Sequence, residues 1–99
     1  MNYEELAEMF RVLANPARLH ILRLLVEGPL CVGDLCECTR RRQAYISQQL
    51  MVLRSAGFVE CEKTGWKVCY QLTDNWQARF VRLFFTQMFS NSTTLKIKP

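Results

Sequence analysis

The sequence contains few of the residues and motifs on which enzymatic catalysis depends. Its 99 residues include a single histidine, His20, and only four glycines. It has no Cys-x-x-Cys pair, no Ser/His/Asp set and no glycine-rich phosphate loop. His20 has no second imidazole or carboxylate three or four residues away, so we expect it to pack in the core rather than bind a metal ion. We interpret the chain as a binding protein, not an enzyme, that requires no cofactor.

Long apolar runs are also missing. No stretch reaches the roughly 20 apolar residues that a membrane-spanning helix needs. The first residues include Glu4 and Glu5, whereas a secretory signal begins with basic residues. We therefore expect a cytoplasmic protein with no membrane partner. In such a reducing compartment, an odd number of cysteines is typical of free thiols rather than of a disulfide framework. The five cysteines are Cys31, Cys36, Cys38, Cys61 and Cys69.

Acidic side chains are absent from one central segment. Residues 1–37 carry six acidic and three basic side chains, whereas residues 38–99 carry three acidic and ten basic ones. Within the second part, residues 38–59 have no Asp or Glu but contain Arg40, Arg41, Arg42 and Arg54. A solvated charged surface and a nucleic-acid-binding surface are the two interpretations of such a segment.

The spacing of apolar residues predicts a mainly α-helical fold with a small β-hairpin. The predicted helices are Tyr3–Ala14, Pro16–Val26, Val32–Cys38 and Arg41–Ala56. Alternation over 59–72 predicts the hairpin, and Thr73-Asp74 is expected to cap a last helix. The spacing of Cys31 and Asp34 is that of a capping box with a thiol at the cap. We expect one domain over 1–89 and a disordered tail over 90–99.

The last predicted helix has two apolar stripes where a small domain needs one. Trp76, Phe80, Leu83 and Phe84 form the first, and Val81, Phe85 and Met88 form the second. The domain's own core can cover one stripe, which leaves the other for a second copy of the chain. We therefore predict a homodimer joined through the first and last helices.

The order of elements predicts a winged helix-turn-helix, which binds double-stranded DNA. On the second helix of this motif, the side chains expected to meet base edges are Gln43, Ala44, Ser47 and Gln48. The cations expected to meet the DNA backbone are Arg40, Arg41, Arg42, Arg54, Lys63 and Lys67. Tyr45 has two interpretations: it stacks on the DNA backbone, or it packs on the preceding helix.

Two segments resemble the ArsR/SmtB family of metal-responsive repressors. Residues 10–22, Phe-Arg-Val-Leu-Ala-Asn-Pro-Ala-Arg-Leu-His-Ile-Leu, are similar to the family's second helix. Residues 43–50 and 53–59 are similar to its recognition helix, and the resemblance extends from Leu6 to about Phe84. The resemblance implies a homodimeric repressor that binds an inverted repeat near its own gene and is released by an effector.

The effector suggested by this resemblance is a soft metal or metalloid ion. Residues 30–36 resemble the family's arsenic-sensing stretch Cys-Val-Cys-Asp-Leu-Cys, with Gly33 in place of the middle cysteine. Cys31 and Cys36 would then hold As(III), Cd, Pb or Zn, with Cys38 as a third sulfur from a frayed helix end. Cys31 as a simple cap and Cys36 as a small core residue are the alternatives. The family's Asp and His site on the last helix has no histidine here.

Two further hypotheses concern regulation and partners. Cys61 and Cys69 would be cross-strand neighbours, able to form a redox disulfide, if the hairpin turn has three residues, and would lie on opposite faces if it has two. A regulator that binds no metal would respond to thiol oxidation or would have no effector at all. The remaining alternative is a winged-helix module whose basic helix binds an acidic protein.

Overall fold

The computed structural model describes residues 1–90, with the side chains of residues 1–88. Its five helices are α1 (Tyr3–Leu13), α2 (Pro16–Leu25), α3 (Val32–Thr39), α4 (Gln43–Ser55) and α5 (Trp76–Ser90). Its three strands are β1 (Leu30–Cys31), β2 (Val59–Thr64) and β3 (Lys67–Leu72). Helix α5 includes Ser90, the first residue of the expected tail, and residues 91–99 lie outside the described residues. Among the described residues no helix is long and apolar enough to cross a membrane.

The helix ends follow the capping residues in the sequence, with one difference. Helix α2 begins at Pro16, and the Asn15 side chain accepts a hydrogen bond from the backbone N–H of Arg18 at 3.1 Å. Helix α5 is capped by Asn75 rather than by the predicted Thr73-Asp74, because the Asn75 side chain accepts from the N–H of Ala78 at 3.2 Å. The Thr73 hydroxyl donates instead to the carbonyl of Gly57.

One apolar core joins the helices and the sheet. It includes the fully buried side chains Ile21, Leu22, Leu35, Ile46, Leu50, Leu53, Phe58 and Val59. Leu35 comes from α3, and Ile46, Leu50 and Leu53 from one side of α4. Burying an aliphatic side chain of this size stabilises the fold by about 1.5–3 kcal/mol. The shared core therefore fixes the angle between α3 and α4.

The sheet has three strands in the order β1-β3-β2, one strand more than the sequence predicts. Strand β1 has only two residues, too few to show the alternation that predicts a strand. It pairs antiparallel with β3, with Leu30 opposite Tyr70 and Cys31 opposite Cys69. The strand that directly precedes α3 is thereby attached to the hairpin. The rest of the order confirms the predicted helix-turn-helix followed by a hairpin.

Candidate nucleic-acid interface

Three arginines make up the turn between α3 and α4. Arg40 ends α3 in the left-handed conformation, with φ of 56°, and the N–H of Arg41 donates to the carbonyl of Cys36 at 3.3 Å. Arg42 is extended, with φ of −68° and ψ of 149°, and occupies the cap position of α4. This geometry starts α4 at Gln43, whereas the sequence predicts a start at Arg41. All three side chains are exposed, and their residues directly precede α4.

Helix α4 has an apolar side and a polar side. The exposed polar side holds all four predicted base-reading residues, Gln43, Ala44, Ser47 and Gln48. Gln49 is buried instead, and its Oε1 accepts a hydrogen bond from Nε of Arg18 at 2.8 Å, which attaches α4 to α2. Arg54 is exposed in the last turn. We call Arg40, Arg41, Arg42, Gln43, Ala44, Ser47 and Gln48 the recognition surface.

Tyr45 lies at the edge of the recognition surface and packs against the core. It is half-buried, and the guanidinium of Arg41 stands over its ring at 5.3 Å from the centroid. A cation over an aromatic face at this distance is an attractive contact. The contacts favour the packing interpretation of Tyr45 and give it a second role in orienting Arg41. A stacking contact between Tyr45 and DNA stays a prediction.

The tip of the hairpin carries the two predicted lysines and an aromatic residue that sequence reasoning missed. Lys63 and Lys67 are exposed and lie on opposite faces, because Lys67 pairs with Thr64 and Lys63 with Val68. Trp66 is 97% exposed at the tip. Gly65, with φ of 67°, holds the first position of a two-residue turn, and such turns place the next side chain at the tip. This rule for two-residue turns could have predicted from the sequence that Trp66 is exposed at the tip.

The hairpin register corrects the predicted redox pair of Cys61 and Cys69. The turn consists of Gly65 and Trp66 alone, so Cys61 lies opposite Tyr70 and Cys69 lies opposite Glu62. Successive side chains of a strand point to opposite faces, and the two cysteines are therefore on different faces of the hairpin. Cys61 lies on the same face as the core residues, next to Tyr70. Burial is the main cause that raises the pKa of Tyr70, and the neighbouring Cys61 is the second.

Cys69 instead meets Cys31, a contact that requires the unpredicted strand β1. The two Sγ atoms are 2.6 Å apart, and both residues are half-buried free thiols. Cys31 is the cap residue of α3, and its backbone N–H donates to Oδ2 of Asp34 at 3.2 Å, as the capping box predicts. The hydrogen bond with Cys31, and then burial, raise the pKa of Cys69.

The proposed metal ligands are not brought together in the same way. Cys36 packs against the core, whereas Cys38, two residues further along α3, is exposed. Side chains two positions apart on a helix point in different directions. In the part of the chain that the structure describes, no group of three or more His, Cys, Asp or Glu side chains could hold a metal ion. A site formed by Cys31, Cys36 and Cys38 does not fit α3 as folded and stays a prediction.

A second exposed surface lies on α1 and α5. Of the two predicted stripes on α5, that of Val81, Phe85 and Met88 is buried, and that of Trp76, Phe80, Leu83 and Phe84 is exposed. The ring of Phe10 on α1 meets that of Phe80 edge to face at 6.0 Å, and Phe80 stacks on Phe84 at 6.4 Å. We call the exposed side chains of this surface, Phe10, Trp76, Phe80, Leu83 and Phe84, the aromatic face.

Comparison with known sequences finds regulators of transcription. Residues 15–60 match the model of the bacterial regulatory protein family arsR. The chain is 38% identical over 72 residues to a transcriptional repressor SmtB homolog of Synechocystis sp., which covers 73% of this chain and 54% of that protein. It thus spans about half the length of that relative. It is 37% identical to the biofilm growth-associated repressor of Xylella fastidiosa, covering 83% of this chain and 72% of that one.

Comparison with solved structures finds the same fold. The transcriptional repressor BigR of Xylella fastidiosa aligns with a TM-score of 0.82 and 31% identity, over 97% of this chain and 91% of that chain. The homodimeric winged helix-turn-helix DNA-binding domain of Mb0332 from Mycobacterium bovis aligns with a TM-score of 0.77 and 26% identity. That alignment covers 97% of this chain and 89% of the other. These likenesses confirm the predicted winged helix-turn-helix.

Proposed function

Because the chain belongs to the arsR family of bacterial regulatory proteins, we propose that it is a transcriptional repressor that binds an inverted repeat in double-stranded DNA as a homodimer. The observation that carries this proposal is the turn of three exposed arginines at the start of α4. The N-terminal half of such a helix enters the major groove, where phosphates of the backbone border it on both sides. Arg40, Arg41 and Arg42 stand at that end.

The polar side of α4 supplies side chains for base recognition. Gln43 and Gln48 are of a type that pairs bidentately with adenine, Ser47 bonds either a donor or an acceptor, and Ala44 allows close approach to a thymine methyl. The apolar side of the same helix is buried, so these exposed groups are held on a rigid support. At the hairpin, Lys63 and Lys67 would contact the flanking backbone, with Trp66 against a sugar or groove wall.

The aromatic face supports the homodimer. A monomer rarely leaves such a set of large apolar side chains in contact with water. Leu83 alone is 62% exposed. A two-fold axis through this face would place two α4 helices on the same side of the dimer, and that arrangement matches an inverted repeat. The homodimeric relative from Mycobacterium bovis agrees with this assignment.

The effector step in this proposal is thiol chemistry. Release by an arsenite-like ion, held by Cys31, Cys36 and Cys38, requires the last turn of α3 to unwind so that the three sulfurs converge. Release by oxidation requires no such change, because two sulfurs already touch. The metal hypothesis is supported by the resemblance of residues 30–36 to the family's arsenic-sensing stretch, in which Gly33 replaces the middle cysteine. We therefore rank oxidation before metal binding.

Fluorescence anisotropy of the reduced protein on duplex DNA from upstream of its own gene tests the DNA-binding function. We expect tight binding whose affinity falls steeply as salt rises, because phosphate contacts release counterions. Replacing two turn arginines, Arg41→Gln with Arg42→Gln, should lower the salt slope by about 0.9 for each arginine removed. Arg23→Gln removes one positive charge from α2, where Arg23 pairs with Glu27 at 3.4 Å, and should leave the slope unchanged.

The same titration separates the effector hypotheses. Arsenite, cadmium, lead and zinc are added to the reduced complex, and peroxide is added last. If a metal ion releases the DNA from the wild type but not from the Cys36→Ser variant, the metal hypothesis is supported. Release by peroxide alone favours oxidation. Salt-insensitive association, or no association with any duplex, would contradict the DNA-binding proposal. The result would favour the alternative, a winged-helix module that binds an acidic protein.

A further inference from the structure

The sheet has a core face and an outer face, and the thiol contact is on the outer one. Val59 and Leu72 are buried on the core face, and Cys61 and Tyr70 follow them on that side. Cys69 and Cys31 lie on the opposite side, together with the exposed Glu62 and Lys67. A small oxidant can therefore reach both sulfurs without opening the core.

The backbone places these two thiols next to each other. Cys31 and Cys69 are 38 positions apart in the sequence but directly opposite in the antiparallel pair of β1 and β3. A disulfide needs two Cβ atoms a short distance apart, and residues at opposite positions of an antiparallel pair project side by side from the same face of the sheet. The contact of 2.6 Å is close to the bonding distance of about 2.05 Å.

From this geometry we propose that Cys31 and Cys69 form a reversible disulfide in response to hydroperoxides, and that this bond regulates DNA binding by locking the hairpin to the start of α3. The second half of the proposal rests on the DNA-binding function proposed above. The first half concerns a covalent change and stands without it. The bond would join the cap residue of α3 to β3, the central strand of the sheet.

The reaction balances with a hydroperoxide as the oxidant. The sulfur of Cys31 attacks one peroxide oxygen and gives up its proton, the O–O bond breaks, and the second oxygen takes that proton and leaves as water or an alcohol. Cys69 then attacks the resulting Cys31 sulfenic acid, so that the S–S bond forms while the S–O bond breaks. The hydroxyl group leaves as water with the Cys69 proton. Together the two thiols lose two electrons, and the peroxide gains them.

The order of these two steps follows from the local surroundings. Cys69 lies directly opposite Cys31 with its sulfur in contact with the Cys31 sulfur, so it acts as the resolving thiol. Cys31 is the cap residue that precedes α3, and the backbone N–H of Asp34 faces its sulfur in the capping box. A sulfur in such a position is the expected site of the first attack.

The consequence for DNA binding comes from the position of the bond. The segment between the two cysteines contains α3, the arginine turn, α4 and β2. With the bond formed, the hairpin that carries Lys63, Trp66 and Lys67 cannot adjust to the DNA backbone independently of α3. We therefore expect oxidation to weaken the operator complex by about fivefold or more, a usual size for coupling between two sites.

Peptide mapping by mass spectrometry tests the bond itself. The reduced full-length protein is treated with hydrogen peroxide, and we expect the loss of two hydrogens and a single linked pair of peptides that contain Cys31 and Cys69. Cys69→Ser should abolish the linked pair. Cys61→Ser is the matched control on the core face of the same hairpin and should leave it intact. A linked pair that involves Cys36, Cys38 or Cys61 instead would overturn the assignment.

Anisotropy on the duplex that the reduced protein binds tests the regulatory half. Peroxide should weaken binding by the wild type and by Cys61→Ser, and dithiothreitol should restore it. Cys69→Ser should bind as the reduced wild type does and ignore peroxide. Equal affinity of reduced and oxidised wild type would refute regulation by this bond. If no duplex binds even the reduced protein, the proposed function fails, while the mapping result still decides whether the disulfide forms.

Discussion

The recognition surface and the aromatic face are both exposed, but they are built from opposite kinds of side chain. The first presents guanidinium, amide and hydroxyl groups around the start of α4. The second presents aromatic rings and Leu83 along α1 and α5. A charged surface binds a polyanion favourably because counterions are released. An apolar surface binds a partner favourably because its apolar area is removed from water. Exposure alone thus leaves the partner open, and side-chain chemistry selects it.

The two surfaces are also joined mechanically. At the end of α4, the carbonyl of Gly57 accepts hydrogen bonds from Thr73 and from Nδ2 of Asn75, and the carbonyl of Ala56 accepts one from Gln77. Asn75 caps α5, so the helix of the aromatic face starts where the recognition helix ends. In the proposed homodimer, the geometry of the interface would therefore set the distance between the two α4 helices.

The largest expected effect comes from placing a charge in the aromatic face. Leu83→Glu puts a carboxylate into a surface that dimerisation would remove from water, at a cost of several kcal/mol. We expect a folded monomer in analytical ultracentrifugation and a loss of affinity for the inverted repeat of about 100-fold or more, because two half-sites are no longer bound together.

Met51→Glu is the control for that experiment. Met51 is as exposed as Leu83 but lies on α4, outside the aromatic face. The Met51→Glu protein should remain dimeric in analytical ultracentrifugation. A dimeric Leu83→Glu protein would show that the aromatic face is not the dimer interface.

A smaller effect is expected from a single side chain of the recognition surface. Gln48→Ala removes one bidentate donor and acceptor, which is worth about 1–3 kcal/mol of base discrimination. We expect about tenfold weaker binding to the operator, unchanged binding to unrelated duplex, and an unchanged salt slope in anisotropy titrations. Ser55→Ala, on the exposed C-terminal end of the same helix, should change none of these quantities. Equal losses on both duplexes would assign Gln48 to the backbone instead.

The sequence predicts most of both surfaces because they follow helix periodicity. The buried and exposed stripes of α5, and the two sides of α4, recur every three or four residues and need no tertiary information. The arginine turn could be located for the same reason, since it interrupts that spacing. Its backbone was harder to predict, because Arg40 adopts a left-handed conformation that sequence patterns assign to Gly or Asn.

What the sequence could not predict depends on contacts between distant residues. Strand β1 exists because Leu30 and Cys31 pair with β3, and two residues alone carry no strand signal. The pair of Cys31 and Cys69 follows from that strand and was therefore missed. The same limit explains the wrong pairing of Cys61 with Cys69, since turn length decides which faces meet and the sequence allowed two lengths.

The smallest expected effect separates charge from backbone conformation within the recognition surface. Arg40→Gly removes one cation and also relieves the left-handed strain, so we expect the free energy of unfolding to rise by about 0.5–1 kcal/mol. Arg42→Gly removes the same charge where φ is −68°, a conformation that any residue adopts, and should lower that free energy by a similar amount. Urea titrations measure both changes.

Both variants should lower the salt slope of DNA binding by about 0.9, since each removes one phosphate contact. Opposite changes in stability with equal changes in slope would establish that the recognition surface acts through its charge. A slope lowered by Arg42→Gly alone would mean that the left-handed turn points Arg40 away from the DNA backbone. The phosphate contacts of the turn would then come from Arg41 and Arg42, with Tyr45 holding Arg41 in position.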